Sequence, residues 1–394
     1  MNLSNNSPHS RVTSYYFVQA MSVGAINAFA GIWLAHKGIT PEQIGVIFAL
    51  PVGIIVLVNV AIGRIADRAE DWRQVIVAGA LASAVAPLGL LFADGFWGIL
   101  LVWSVAVITQ MMILPVTDAA AIRMSRRNNA DFGVFYAWKT IGYLLTVALS
   151  GFLLAELGTQ AFLPLFIVLS IVRGLFALRL PNFRTVNPGS EDAVKKVSRP
   201  SMLRLGFILP LIGWAMVHCT HFVLNGFLGL IWHEQGLVAS TIGILIGVSS
   251  LSETGMFLGF KRYLSRWSAQ TLILISCVIA VVRWSFLAMS PPVEVLFVLQ
   301  ILHAFTYALG FLACTNFIAD STSEDVAAEA QSFFAMVQSA LAIVALIGFG
   351  WLTAAWGDKA FLVSAAFAGI GAILVICASR LQEITESVDT DSSH

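Results

Sequence analysis

Charge is what this sequence most conspicuously lacks. Of its 394 residues only 11% are Asp, Glu, Lys or Arg, while 58% are hydrophobic; an ordinary soluble domain carries about 25% charged residues. So few charges cannot hydrate the surface of a chain this long, and most of that surface must face lipid. Nor does either sign dominate. The 22 basic residues balance the 22 acidic ones, which excludes the basic footprint of a nucleic-acid binder. Cysteine is equally sparse. Cys219, Cys277, Cys314 and Cys377 stand singly inside apolar runs, with neither CxxC metal spacing nor the density of a disulfide framework, and are expected to act as small buried hydrophobes. There is no GxxxxGK[ST] phosphate loop and no GxSxG turn. His233-Glu234 lacks the second histidine of a zinc-protease helix. We therefore expect no enzyme activity, no cofactor and no metal. Residues 1–14 are polar and hold one arginine with no small-residue cleavage site, so the first apolar stretch is expected to be a retained helix and not a signal peptide.

What is abundant is apolar length. About 20 mostly apolar residues suffice to span a bilayer as a helix. That rule places spans near 14–35, 44–63, 75–93, 97–121, 133–154 and 160–180, then near 204–231, 241–260, 271–290, 294–317, 330–354 and 360–380. The fold class expected is an all-α membrane protein of twelve transmembrane helices in two pseudo-symmetric six-helix bundles. Residues 1–180 form the N-terminal bundle, 181–203 a polar cytoplasmic linker, 204–380 the C-terminal bundle, and 381–394 an acidic, Ser-rich tail expected to be disordered. Seventeen Lys and Arg residues fall on one side of this topology and two, Lys37 and Lys359, on the other. Positive loops stay inside, so both termini are expected in the cytoplasm of a bacterial inner membrane.

A repeat supports the two halves. Gly38-Ile39-Thr40-Pro41-Glu42-Gln43-Ile44-Gly45 matches Gly236-Leu237-Val238-Ala239-Ser240-Thr241-Ile242-Gly243 at a shift of 198 residues. The same shift carries Arg64 onto Arg262, Arg68 onto Arg266 and Thr117-Asp118 onto Thr315-Asn316. Fused six-span halves leave such a register.

A charge at bilayer depth costs at least about 2.5–3.5 kcal/mol and must face protein or water. The residues in that position are Asp118, Lys139, Arg173, His218, His221, Glu253, Arg283 and His303. Glu253, Arg283 and His303 fall near the middle of three consecutive spans, and are expected to form a buried acid–base network in which a proton on Glu253 releases Arg283. A static ion pair is the alternative. His218 and His221 share a helical spacing with Asn225, as do Gln300, His303 and Tyr307; both stripes suit hydrogen bonds to a solute. Lys139, beside Tyr136 and Trp138, suits an anion or snorkels to the interface. Trp97, Trp232 and Trp356 stand near span ends like belt anchors. The pairs Gly243/Gly247 and Gly255/Gly259 are expected to allow close helix packing.

Gly63-Arg64-Ile65-Ala66-Asp67-Arg68 resembles the loop signature of the major facilitator superfamily, with Gly63, Asp67 and Arg68 as its core, although Ala69, Glu70 and Asp71 replace the usual glycine and basic pair. Val282-Arg283-Trp284, Gln300-Ile301-Leu302-His303-Ala304-Phe305-Thr306 and Pro115-Val116-Thr117-Asp118-Ala119 resemble the phenylpropionate-permease branch, akin to proton-coupled sugar permeases such as lactose permease. The resemblance covers residues 15–380. It implies proton symport of a small organic solute, with Glu253, Arg283 and His303 as the coupling group. The sugar permeases hold sugar with an acid in the fourth span, which Asp118 fits, and an arginine in the fifth, where this chain offers Lys139.

The first hypothesis is thus a proton-coupled importer of a small organic anion, such as an aromatic carboxylate, working as a monomer whose partners are its solute, protons and lipid. The second is an exporter of drugs or metabolites with the same fold. The third, a ligand-binding membrane sensor, would need a signalling domain, and no loop or tail here is long enough.

Overall fold

The computed structural model describes residues 7–127, 132–183, 204–322 and 324–391. Among them all regular structure is helical: α1 (Pro8–His36), α2 (Pro41–Arg68), α3 (Trp72–Val85), α4 (Gly95–Met111), α5 (Leu114–Arg127), α6 (Gly133–Leu157), α7 (Phe162–Ala177), α8 (Leu205–Val223), α9 (Gly229–Glu234), α10 (Ala239–Tyr263), α11 (Ala269–Leu287), α12 (Val293–Ile301), α13 (Gly310–Ser321), α14 (Glu324–Trp356) and α15 (Phe361–Asp391). Eleven apolar stretches among the described residues are long enough to cross a membrane. The last, Phe333–Leu381, holds two helices parted at Gly357, whose φ of 56° ends α14. The twelve expected crossings are therefore present. Three of them are composite: α4 with α5, α8 with α9, and α12 with α13.

Local sequence explains the element ends. Ser7 caps α1 ahead of Pro8, which carries the helix to residues expected to lie before it. Thr40 and Gln43 form a reciprocal capping box on α2, with Pro41 in its first turn. At the other end α2 meets no breaker, so Gly63 to Arg68 are helical, not the loop expected from the signature; the turn is confined to residues 69–71 before Trp72. The tail is likewise corrected. Residues 382–391 contain neither Gly nor Pro, and α15 continues through them to Asp391. Residues 184–203, most of the expected linker, and 392–394 lie outside the described residues.

The repeat is visible as geometry. Gly38 and Gly236 take φ of 78° and 88°, a left-handed conformation open to glycine. Each closes its helix identically: Ile39 N donates to Leu34 O at 3.1 Å and Leu237 N to Trp232 O at 2.9 Å, the long bond of a Schellman cap.

By packing, the chain divides into two compact units. The first combines Met1–Gly189 with Asn225–Gly247 and Leu346–Ala354; the second holds Ser190–Leu224, Val248–Ala345 and Ala355–His394. Within the first unit, glycines let backbone meet backbone in symmetric pairs. A Cβ at Gly45 would stand 2.5 Å from the Leu346 carbonyl oxygen, and one at Gly243 would stand 2.8 Å from that of Val147. Gly350 faces Pro41 O as Gly151 faces Ala239 O, at 2.6 and 2.7 Å, and Gly31 faces Gly226 O as Gly229 faces Ala28 O. All six lie toward the helix ends nearest Lys37 and Gly236, away from the arginine-rich turns. Of the expected packing glycines on α10, Gly243 does this, Gly247 only reaches Leu144 at 4.0 Å, and Gly255 meets nothing within 4 Å. Trp97 and Trp356 are exposed as belt anchors should be, but Trp232 is buried and is not one.

Candidate functional site

Three helices of the second unit bring Glu253 (α10), Arg283 (α11) and His303 (just past α12) together. Arg283 is fully buried; both of its Nη atoms have partners, and its Nε has none among the described residues. Its Nη2 donates to Gln300 Oε1 at 2.7 Å, and its Nη1 reaches Thr306 Oγ1 at 3.1 Å and His303 Nδ1 at 2.8 Å. Trp284 lies under the guanidinium, 4.7 Å from it. Glu253 does not touch Arg283 directly. Its carboxylate pairs with His303 Nε2, so the imidazole stands between acid and base and the expected network is a relay.

The partners fix the tautomers. A guanidinium only donates, so His303 Nδ1 accepts and its proton sits on Nε2, facing Glu253. His221 is opposite. Its Nδ1 lies 3.0 Å from the carbonyl of Val217 and must donate, which leaves Nε2 an acceptor 3.1 Å from Thr306 Oγ1, whose single proton it shares with the His303 carbonyl at 3.2 Å. Thr306 is therefore the hub between the two histidines and Arg283. It lies in a π-helical stretch, Ala304–Leu309, and Ser276 Oγ, itself receiving Trp214 Nε1, donates to its carbonyl at 3.2 Å. Thr306 closed the Gln300–Thr306 resemblance segment but was given no role there, and nothing in the sequence pointed to Ser276; a π turn has no readable signature.

Beside this relay is an aromatic wall. His218 stacks on Trp214 at 4.9 Å and faces Tyr307 at 5.6 Å, with its Nδ1 buried and unbonded. Tyr307 stacks on His303 at 5.7 Å and 9°. Six of the expected residues, Glu253, Arg283, His303, His221, Gln300 and Tyr307, are thus joined, with His218 at their edge. Asn225 is not. A second π stretch, Leu224–Leu228, follows α8 and changes the bond spacing from four residues to five, so the stripe from His221 breaks. Asn225 is exposed and belongs to the first unit.

The first unit holds its own polar group. Tyr16 Oη donates to Asp118 Oδ1 at 2.6 Å and Tyr136 Oη to Oδ2 at 3.0 Å. Lys139 Nζ lies 4.7 Å from the Tyr136 ring centre, within cation–π range. Tyr16 was not among the expected site residues, and Tyr136 was expected only as an aromatic beside Lys139. Arg173 is elsewhere, fully buried, donating to Ser22 Oγ at 3.1 Å and to Ser83 O at 3.2 Å; no ion pair reaches it among the described residues. Of the signature, Arg68 is exposed, Gly63 meets nothing within 4 Å, and the Asp67 side chain lies outside the described residues. No group of three or more His, Cys, Asp or Glu that could hold a metal occurs among the described residues.

Residues 9–362 match the model of the MFS_1 like family. The chain belongs to that family. It is a multi-pass membrane transporter of the major facilitator superfamily and not an enzyme. It is 28% identical over 326 residues to the "Probable 3-phenylpropionic acid transporter" of Escherichia coli (strain K12), covering 79% of this chain and 82% of the other. It is 22% identical over 380 residues to the maltose permease of Geobacillus stearothermophilus, covering 94% of each. Among solved structures, a point mutant of the nucleoside transporter NupG superposes with a TM-score of 0.81 at 18% identity over 95% of this chain and 99% of that one. A bacterial homologue of the human lysosomal transporter Spinster does so at 0.78 and 15%, over 96% and 98%. At those identities the structures speak to the facilitator fold alone.

Proposed function

We propose that this transporter couples entry of a small organic anion to entry of a proton, through Glu253, His303 and Arg283. The observation that carries this reading is the bridged ion pair. Arg283 is cationic and Glu253, when ionised, is its counter-charge across a neutral imidazole, so the relay is charge-balanced only in that state. A proton arriving at Glu253 leaves a buried guanidinium without its counter-charge, at a cost of several kcal/mol unless another anion arrives. A solute carboxylate supplies that anion. Proton and anion therefore favour each other's binding, and by linkage the effect is reciprocal. This is the requirement for symport.

An aromatic carboxylate fits best. The ring wall of Trp214, His218 and Tyr307 suits an apolar ring, the intramembrane bases exceed the acids, and the name of the Escherichia coli relative points the same way. Within the first unit, Lys139 against Tyr136 is by itself a cation suited to an anion, and Asp118 an acceptor. The charge count supports an orientation with both termini, and the arginine-rich turns, on the cytoplasmic side of a bacterial inner membrane. The working unit is the monomer.

Uptake of labelled 3-phenylpropionate by proteoliposomes, with and without an imposed inward proton gradient, tests the proposal. The gradient should drive accumulation, and an outward solute gradient should by itself pull protons out. Solute flux that moves no protons would end the symport reading.

A further inference from the structure

Arg173 is a buried charge that the coupling relay does not use. It stands about one turn from the end of α7, where a long side chain can reach the membrane surface, yet its side chain exposes no surface at all. Two of its nitrogens turn inward instead: Nη1 donates to Ser22 Oγ of α1 and Nη2 to Ser83 O of α3. Both acceptors are neutral. Its Nε has no partner, and no carboxylate pairs with it among the described residues. A guanidinium stays protonated inside a protein. The first unit therefore encloses a whole positive charge without a counter-charge, which is strongly unfavourable.

The groups around it are unsatisfied in the same sense. Tyr15, Gln19 and Ser22 follow one another at spacings of four and three residues, so they share the face of α1 that Ser22 turns toward Arg173. All three are buried. Gln19 has no hydrogen-bond partner at either Nε2 or Oε1, and Tyr15 Oη, within electrostatic reach of Arg173, has none either. Ser170, one turn before Arg173 on α7, is buried with an unbonded hydroxyl. Buried polar groups are nearly always paired. Here Arg173 Nε, Gln19 Nε2, Ser170 Oγ and Tyr15 Oη can all donate, and the cation beside them has only neutral acceptors. That is the complement of an anion.

Enclosure sets the size of the ion. Tyr15, Gln19, Ser22, Ser83, Ser170 and Arg173 expose at most 1% of their surface, so a phosphate or an organic acid has no room. A halide needs only convergent N–H and O–H donors, at no fixed angle. We infer that the first unit holds a chloride ion between α1 and α7: Arg173 Nε, Gln19 Nε2 and Ser170 Oγ donate to it, and Gln19 Oε1 takes the Tyr15 proton. The side chains of Gln19 and Ser170 turn aside to admit the ion, since no hydrogen bond holds them in place. The ion is a fixed counter-charge for Arg173 and takes no part in the coupling relay.

The full chain, purified throughout in chloride, bromide or gluconate salts at one ionic strength, tests this. Melting should be higher in either halide than in gluconate, with a saturable dependence on halide concentration. Crystals grown in bromide should give an anomalous peak beside Arg173 Nε at the bromine absorption edge. Gln19→Leu should raise the halide concentration needed for half the shift about tenfold, the scale of a hydrogen bond to a charged group. Arg173→Gln should abolish the dependence; should that variant fail to fold, Gln19→Leu and the bromide map still decide. Leu145→Trp, on the exposed face of α6, should leave it unchanged. Equal melting in halide and gluconate would overturn the proposal. So would a bromide peak at Arg283 with none at Arg173, or density beside Arg173 without anomalous signal, which would be water.

Discussion

The two halves of the repeat agree at the helix ends and part company in the middle. Gly38 and Gly236 close their helices with matching bonds, and Gly45 and Gly243 meet carbonyls in matching ways. Yet residues 224–228 and 304–309 are π-helical, while the positions 198 residues earlier, 26–30 and 106–111, are ordinary α-helix. Both widened turns begin directly after a site histidine, His221 within three residues and His303 within one. π turns gather at functional sites because they present side chains and carbonyls that a regular ladder withholds; here one of them presents Thr306. The first half keeps Arg173 apart from its acid. Asp118 is held by two tyrosine hydroxyls and Arg173 by a serine and a carbonyl. Scaffold symmetry and chemical asymmetry are therefore separable in this protein.

That separation can be broken by experiment. The largest effects should come from the symmetric part. Gly45→Trp and Gly243→Trp each force a side chain where a carbonyl already stands at under 3 Å, and both should reduce uptake and exchange to background while labelled solute still binds. If only one of the two does so, the matching glycine contacts of the two halves are not equivalent.

Next come the unequal acids. Glu253→Gln should abolish accumulation driven by a proton gradient and leave solute exchange measurable, since the amide stands in for the protonated carboxyl. In the unaltered protein, raising the outside pH withdraws the proton that Glu253 must take up, so accumulation should fall as that pH rises; exchange by Glu253→Gln should be insensitive to it. Accumulation by Glu253→Gln against a gradient would remove the acid from the coupling step.

Arg283→Lys should follow, with uptake lowered by about a hundredfold, the scale of breaking a buried charged pair. An ammonium cannot reach Gln300, His303 and Thr306 with the same fork. Smallest is Asp118→Asn. The amide oxygen can still accept from one tyrosine while the amide nitrogen donates to the hydroxyl of the other, so uptake should drop by about tenfold or less and keep its dependence on the proton gradient. Loss of that dependence in Asp118→Asn would place coupling in both halves.

Much of the fold was legible because spans and repeats are written in residue type. Apolar runs of about 20 residues, the Gly38/Gly236 match and the isolated polar residues at span centres each have a one-to-one reading. The grouping of Glu253, Arg283 and His303 followed from depth alone. The imidazole between acid and base did not, because depth orders residues along the membrane normal and says nothing of rotation about each helix. The π turns were also invisible, and with them the exposure of Asn225. Trp232 misled for a related reason: a tryptophan near a span end looks the same whether it faces lipid or the protein interior.

The six glycine contacts have a thermodynamic consequence. A seal between backbones immobilises no rotamers when it shuts and frees none when it parts, since glycine has no side-chain entropy to lose. Its closing enthalpy is also modest, being made of dispersion and weak Cα–H···O contacts. We expect the carrier to work by alternating access, with these contacts parting and closing; the two arrangements would then lie close to isoenergetic, so that a solute binding one of them a few kcal/mol better suffices to move the population.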